Sequence, residues 1–255
     1  MPAPTLVTGA PCWIDLYSSD TDKAIAFYRE LFGWSAEPPQ EEFGGYFTFT
    51  KDGKHVAGCM RNDGEYGLPD SWGVHLMTGD VETVAAAAPK SGGSVEFGPM
   101  VVGENGTSAM LRDPGGAGVG AWQPNQQKGF EVTGEIGTPA WFELHTRAYE
   151  PTVAFYRDVF GWDTHVMSDT DEFRYTTLGE GEGQLAGIMD DSPHPGDEPA
   201  HWAVYFAVAD ADAAIERVIE LGGSVVRPAE DTPYGRLATV TDATGTQLRI
   251  VADAG

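Results

Sequence analysis

Four side chains have the chemistry for proton transfer: Asp15, His75, Glu143 and His145. Glu143 and His145 stand two apart in the alternating stretch Ala140–His145, so a strand puts both on one face. General acid–base work needs a base and an acid within hydrogen-bond reach of the substrate. Asp15, Glu143 or His145 would be the base, and His75 or Tyr205 the acid. A carboxylate set among apolar groups is expected to have a raised pKa. The same residues offer a second chemistry, because Asp15 with His75, or Glu143 with His145, could bind a divalent metal. A third reading leaves them as polar groups that hydrogen-bond a ligand or one another.

Other chemistries have no foothold. There is no G-x-S-x-G elbow, no H-E-x-x-H and no P-loop. Gly179-Glu180-Gly181-Glu182-Gly183 is too acidic to cradle phosphate and reads as a hairpin turn. His55, His165, His194 and His201 lack ligand spacing and read as surface or strand-end residues. Lys+Arg total 15 against 39 Asp+Glu, a formal charge of −24. Such a surface repels phosphates, which excludes nucleic acid and anionic membranes as expected partners. Cys12 and Cys59 are too few for a disulfide framework and read as buried thiols of a reducing cytosol. No apolar run approaches the roughly 18 residues of a membrane span, and the start of the chain lacks a signal-peptide pattern. The expectation is a soluble, cytoplasmic protein.

An internal repeat sets the framework for these residues. Gly9–Trp34 and Gly137–Trp162 are identical at 11 of 26 positions. Trp72, Asp80 and Gly92–Val95 recur as Trp202, Asp210 and Gly222–Val225. The chain therefore divides into modules at 1–124 and 137–255, with a polar linker at 125–136. Each module reads alike: a strand (Cys12–Tyr17, Ala140–His145), then a helix ending at Gly33 or Gly161 as a C-cap would. In the first module Asp20 reads as the N-cap. Strands follow at Tyr46–Thr50 and His55–Met60, and at Phe173–Leu178 and Gln184–Met189. A strand with a second helix comes next, Trp72–Met77 into Val81–Ala88 and Trp202–Val208 into Ala211–Leu221. Three closing strands in the first module are Ser94–Val102, Thr107–Leu111 and Ala117–Trp122. The class is α+β, a βαβββ pattern twice per module, with helices on one face of a curved sheet.

The segments Ala26-Phe27-Tyr28-Arg29 with Leu31-Phe32-Gly33-Trp34, their copies Ala154–Trp162, and the turn Asp113-Pro114-Gly115-Gly116 resemble the vicinal oxygen chelate superfamily. That superfamily includes glyoxalase I, extradiol dioxygenases, fosfomycin-resistance enzymes and bleomycin-resistance proteins. The chain looks most like its two-module actinobacterial members labelled glyoxalase-like or hydroxylase-like. The resemblance implies paired βαβββ units curling into cups that hold the ligand. In metal-using members the ligands come from three strand positions, which fall here on Trp13, Gly73 and Gly120, and on Trp141, Ala203 and Arg249. None of the six is a metal ligand, so no metal and no other cofactor is expected.

On the same face argument the ligand-contacting residues are Trp13, Tyr17, Met77 and Trp122, with Trp141, Tyr205, Gln247 and Arg249. Gly73, Gly120 and Ala203 would leave room where a metal would sit. Arg249 would pair with Glu143 or with an acidic group of the ligand. The recurring Trp34/Trp162 and Trp72/Trp202 read as packing residues. The expected function is metal-independent binding of a planar, aromatic small molecule, an antibiotic or a biosynthetic intermediate. It would serve resistance by sequestration or a biosynthetic step beside a partner enzyme. The alternative is an enzyme of this fold acting on a polyketide-like or aldehyde substrate. Fusion of two modules makes a monomer or a homodimer the expected state.

Overall fold

The structure is a computed structural model that describes residues 7–65, 67–193 and 195–253. His194 lies outside the described residues. Alternation sets the strands. In β1 (Pro11–Ser18), Cys12, Ile14 and Leu16 take one side and Trp13, Asp15 and Tyr17 the other. α1 (Thr21–Phe32) starts on Asp20, whose carboxylate accepts the Lys23 N–H at 3.1 Å. It stops at Gly33, where a φ of 72° suits a residue without Cβ. The short β2 (Ser35–Ala36) and then β3 (Phe47–Lys51) and β4 (Lys54–Arg61) complete one βαβββ unit. The next unit is β5 (Ser71–Met77), α2 (Val81–Ala87), β6 (Ser94–Val102), β7 (Gly106–Arg112) and β8 (Gly118–Pro124).

The second module repeats this with β9 (Pro139–Thr146), α3 (Tyr149–Phe160), β10 (Thr164–Asp169), β11 (Arg174–Leu178) and β12 (Ala186–Asp190). It closes with β13 (His201–Ala207), α4 (Ala211–Glu220), β14 (Ser224–Thr232), β15 (Gly235–Thr241) and β16 (Gln247–Ala252). Each module is one eight-stranded sheet, ordered β2-β3-β4-β1-β5-β8-β7-β6 and β10-β11-β12-β9-β13-β16-β15-β14. The two orders are the same, as a duplicated α+β module requires. Two strands escaped the pattern reading, β2 and β10. Both are edge strands, and β10 leaves Val166 and Met167 exposed with an irregular register, so it has no buried face to impose alternation. The stretch Gly179–Gly183 joins the antiparallel β11 and β12, as its glycines predicted.

The helix-side faces of the two modules share one core. Tyr28 Oη donates to Asp242 at 2.9 Å, and Tyr156 Oη to Asp113 at 3.1 Å. Trp34 Nε1 donates to the Gly137 carbonyl at 2.6 Å, and Trp162 Nε1 to the Gly9 carbonyl at 2.8 Å. Phe206 of β13 meets the rings of Phe32, Trp34 and Trp72, with centroids 5.1–5.8 Å apart. The four recurring tryptophans Trp34, Trp72, Trp162 and Trp202 are thus packing residues, as expected. The segment 125–136 is fastened down. Phe130 and Val132 are buried, and the Phe130 ring lies between Trp13 and Phe142. Cys12 and Cys59 are free and buried. Among the described residues no helix is long and apolar enough to cross a membrane.

Candidate functional site

Strand alternation brings a matched cluster to the other face of each sheet. In the first module β1 supplies Trp13, Asp15 and Tyr17, and β5 lies antiparallel beside it with Trp13 opposite His75. Trp13 Nε1 donates to Asp15 Oδ1 at 3.1 Å and to Tyr46 Oη at 2.9 Å, and Tyr46 Oη donates to the same Asp15 oxygen at 2.8 Å. His75 Nε2 lies 2.9 Å from Asp15 Oδ2. This is a close contact off the ring's N–H direction, and neither ring nitrogen of His75 has an aligned hydrogen bond. His75 is nonetheless only 6% exposed.

Glycines make this packing possible. A Cβ at Gly58 would overlap the Tyr46 hydroxyl and Asp15, and one at Gly120 would overlap the His75 ring. The room expected at Gly120 and Gly73 is therefore already occupied, by His75 and by the edge of the Tyr17 ring. Met77, Trp122 and Tyr17 remain partly exposed around the cluster.

The second cluster is more highly charged. Trp141 Nε1 donates to Tyr175 Oη at 3.1 Å, and Tyr175 Oη donates to Glu143 Oε2 at 2.6 Å. Glu143 Oε1 receives the Tyr205 hydroxyl at 2.6 Å, Arg249 Nη1 at 3.1 Å and the His145 Nε2 contact at 2.8 Å. Arg249 also donates to the Tyr205 oxygen. On its far side His145 Nδ1 meets Asp191 at 3.0 Å. His201 stacks on the His145 ring with centroids 5.1 Å apart and planes 8° from parallel.

Burial alone would raise Glu143, but the His145 hydrogen bond, the charges of His145 and Arg249, and the Tyr175 hydroxyl outweigh it and hold it at about 2. The expected raised carboxyl is thus corrected: Glu143 is lowered, not raised. His145 goes the other way: burial lowers it, yet its bonds to Asp191 and Glu143 raise it overall. His201 is lowered by burial and by the neighbouring His145 charge.

These opposite shifts fix a pH window. Glu143 is depressed below its ordinary 4.5, so its contribution is complete above 4.5 and lost as pH falls toward about 2. His145 is raised above its ordinary 6.5, so its contribution is complete below 6.5 and lost as pH rises through its higher folded value. Melting temperatures between pH 3 and 9 should show both limbs, and His145→Gln should lack the alkaline one. An alkaline limb of equal size in that variant would contradict the assignment.

The structure gathers Trp13, Asp15 and His75 into one cluster and Trp141, Glu143, His145, Tyr205 and Arg249 into the other. Gln247 stays out, exposed at the start of β16 opposite Thr241. Tyr46, Tyr175, Asp191 and His201 were missed. Tyr46 and Tyr175 are counterparts in the repeat, 129 residues apart where Trp13 and Trp141 are 128 apart, and that correspondence was the signal available for them. His201 lies at a strand end, as expected, and is stacked there on His145.

A metal does not fit either cluster. Trp13, Gly73 and Gly120 offer no ligand atoms, and Asp15 with His75 supplies two donors where three or so must converge. In the second cluster both His145 nitrogens face carboxylates and the Arg249 cation lies beside Glu143. Among the described residues no group of three or more His, Cys, Asp or Glu could hold a metal ion.

Comparison with known proteins gives a consistent picture. The Glyoxalase/Bleomycin resistance protein/Dioxygenase superfamily model matches residues 12–120 and 127–250. The chain is 34% identical over 271 residues to anthracycline biosynthesis protein DnrV of Streptomyces peucetius, covering 95% of this chain and 93% of that one. It is 35% identical to anthracycline biosynthesis protein DauV of Streptomyces sp. (strain C5), with the same coverage. Among solved structures, the 2,3-dioxygenase LapB from Pseudomonas sp. KL28 superposes with a TM-score of 0.67 at 11% identity, over 98% of this chain and 93% of that one. The Mn(II)-bound glyoxalase from Novosphingobium aromaticivorans gives 0.66 at 15% identity, over 97% and 83%. At such identities these structures speak for the fold alone.

Proposed function

The chain belongs to the glyoxalase/bleomycin resistance protein/dioxygenase superfamily, and on that premise we propose that it binds a planar, aromatic, polyketide-like small molecule in a cup without a metal and serves a biosynthetic step on it. The observation that carries this reading is the donor set. Where a metal would need ligands stand Trp13, Gly73 and Gly120, and Trp141, Ala203 and Arg249, and the protein's own donors bond both oxygens of Glu143 and one of Asp15. Apolar and aromatic lining with a few polar groups suits a small-molecule site. Likeness along the whole chain to two anthracycline biosynthesis proteins supports a fused-ring ligand. The acidic surface favours a neutral ligand over an anionic one. Holding the molecule for a partner enzyme, or sequestering it, is the role such a binder would fill.

Protein purified without added metal or chelator should carry no stoichiometric Fe, Mn, Ni or Zn. A hydroxyanthraquinone should quench its tryptophan fluorescence saturably, and EDTA should leave the curve in place. Binding that vanishes with EDTA and returns with one of these metals would refute the reading. The unaligned nitrogens of buried His75 favour a second reading, in which Asp15 and His75 move a proton on the bound molecule. Product formation that stops in His75→Gln would establish it.

A further inference from the structure

We infer that the two cups have parted in role: the first takes the ligand, with Asp15 accepting a hydrogen bond from a phenolic or enolic hydroxyl, and the second is a closed cluster that stabilises its module. The inference rests on the binding reading above and goes on to say where the molecule sits.

A carboxylate has about four lone-pair directions to offer. Glu143 takes aligned bonds from Tyr175 on Oε2 and from Tyr205 and Arg249 on Oε1, with His145 Nε2 in an unaligned contact like that of His75. Both of its oxygens thus hold aligned bonds from the protein's own donors. Asp15 takes Trp13 and Tyr46 on Oδ1, and Oδ2 faces His75 alone through a misaligned contact. One acceptor direction on Oδ2 is unused. Beside it lies a buried imidazole whose Nδ1 has no partner. Buried polar atoms are seldom left so, and a ligand hydroxyl meets the need of the pair.

The surroundings differ in the same sense. Tyr17, two residues beyond Asp15, is partly exposed, whereas its counterpart His145 is buried and already stacked on His201. Trp122 pairs in register with Met77, and both are partly exposed. Val251 and Ala207 hold that register position in the second module. Flat ring faces and a thioether are thus open to a planar molecule in the first cup, and small aliphatic groups replace them in the second.

Fluorescence titration with 1-hydroxyanthraquinone and with anthraquinone itself separates the possibilities. Asp15→Asn should bind the hydroxylated ring about 10-fold more weakly, because a charge-assisted bond becomes a neutral one, and should bind anthraquinone as before. Trp122→Ala should weaken both rings up to about 10-fold. Tyr175→Phe, in the second cup, should lower the melting temperature and leave both affinities in place. Should Tyr175→Phe weaken binding as much as Asp15→Asn, in folded protein by circular dichroism, or should both first-cup variants bind like the wild type, the assignment of cups is overturned while the binding reading stands. Failure of the wild type to bind either ring saturably overturns both.

Discussion

Glu143→Ala should destabilise the second module by about 3–5 kcal/mol, the cost of breaking a buried ion pair from one side. The change strands more than one group. Arg249 and His145 lose the anion that offsets their burial, and Tyr175 and Tyr205 lose the acceptor of their hydroxyls. Each buried donor left unpaired adds its own desolvation cost. The double variant Glu143→Ala/Arg249→Met should recover part of the loss, since the stranded cation goes too. Chemical denaturation of the single and double variants measures this coupling. If Glu143→Ala is as stable as the wild type, the cluster has no structural role.

Trp34→Ala is the second large effect, about 3–5 kcal/mol for a fully buried large aromatic. The indole is 1% exposed, stacks on Tyr28 at 5.3 Å and reaches Phe206 of the other module. Its Nε1 also satisfies the Gly137 carbonyl. Trp34→Phe should cost less, keeping most of the packing and losing the bond. In urea, both modules of Trp34→Ala should unfold in one transition at lower denaturant, because the residue belongs to both cores. Two separated transitions, with the second module at its wild-type midpoint, would show that the shared core does not couple them.

The duplicated architecture was legible because it is written twice. Asp20, Gly33 and Gly161 marked helix ends through local backbone chemistry, and β1 and β9 showed their faces by alternation. Edge strands β2 and β10 were not legible, since solvent imposes no pattern on them. Within the site, alternation grouped Asp15 with His75, and Glu143 with His145 and Arg249. It could not tell a ligand-facing carboxylate from one consumed by its neighbours. That distinction depends on Tyr46, Tyr175 and Asp191, which arrive from other strands and loops and share no spacing with the residues they touch. The expected pKa of Glu143 erred because the apolar surroundings were weighed without the Tyr175 hydroxyl and the combined pull of His145 and Arg249.

The crossed tyrosine contacts bear on how the chain is made. Tyr28 finds Asp242 across 214 residues of sequence. A ribosome that has finished the first module has therefore not yet produced the partner of the buried Tyr28 hydroxyl, nor Phe206, which covers Trp34 and Trp72. Through the synthesis of the second half, the nascent first half carries a broad aromatic face with nothing upon it. That interval is when this protein is most exposed to aggregation, and completion of the last strands ends it.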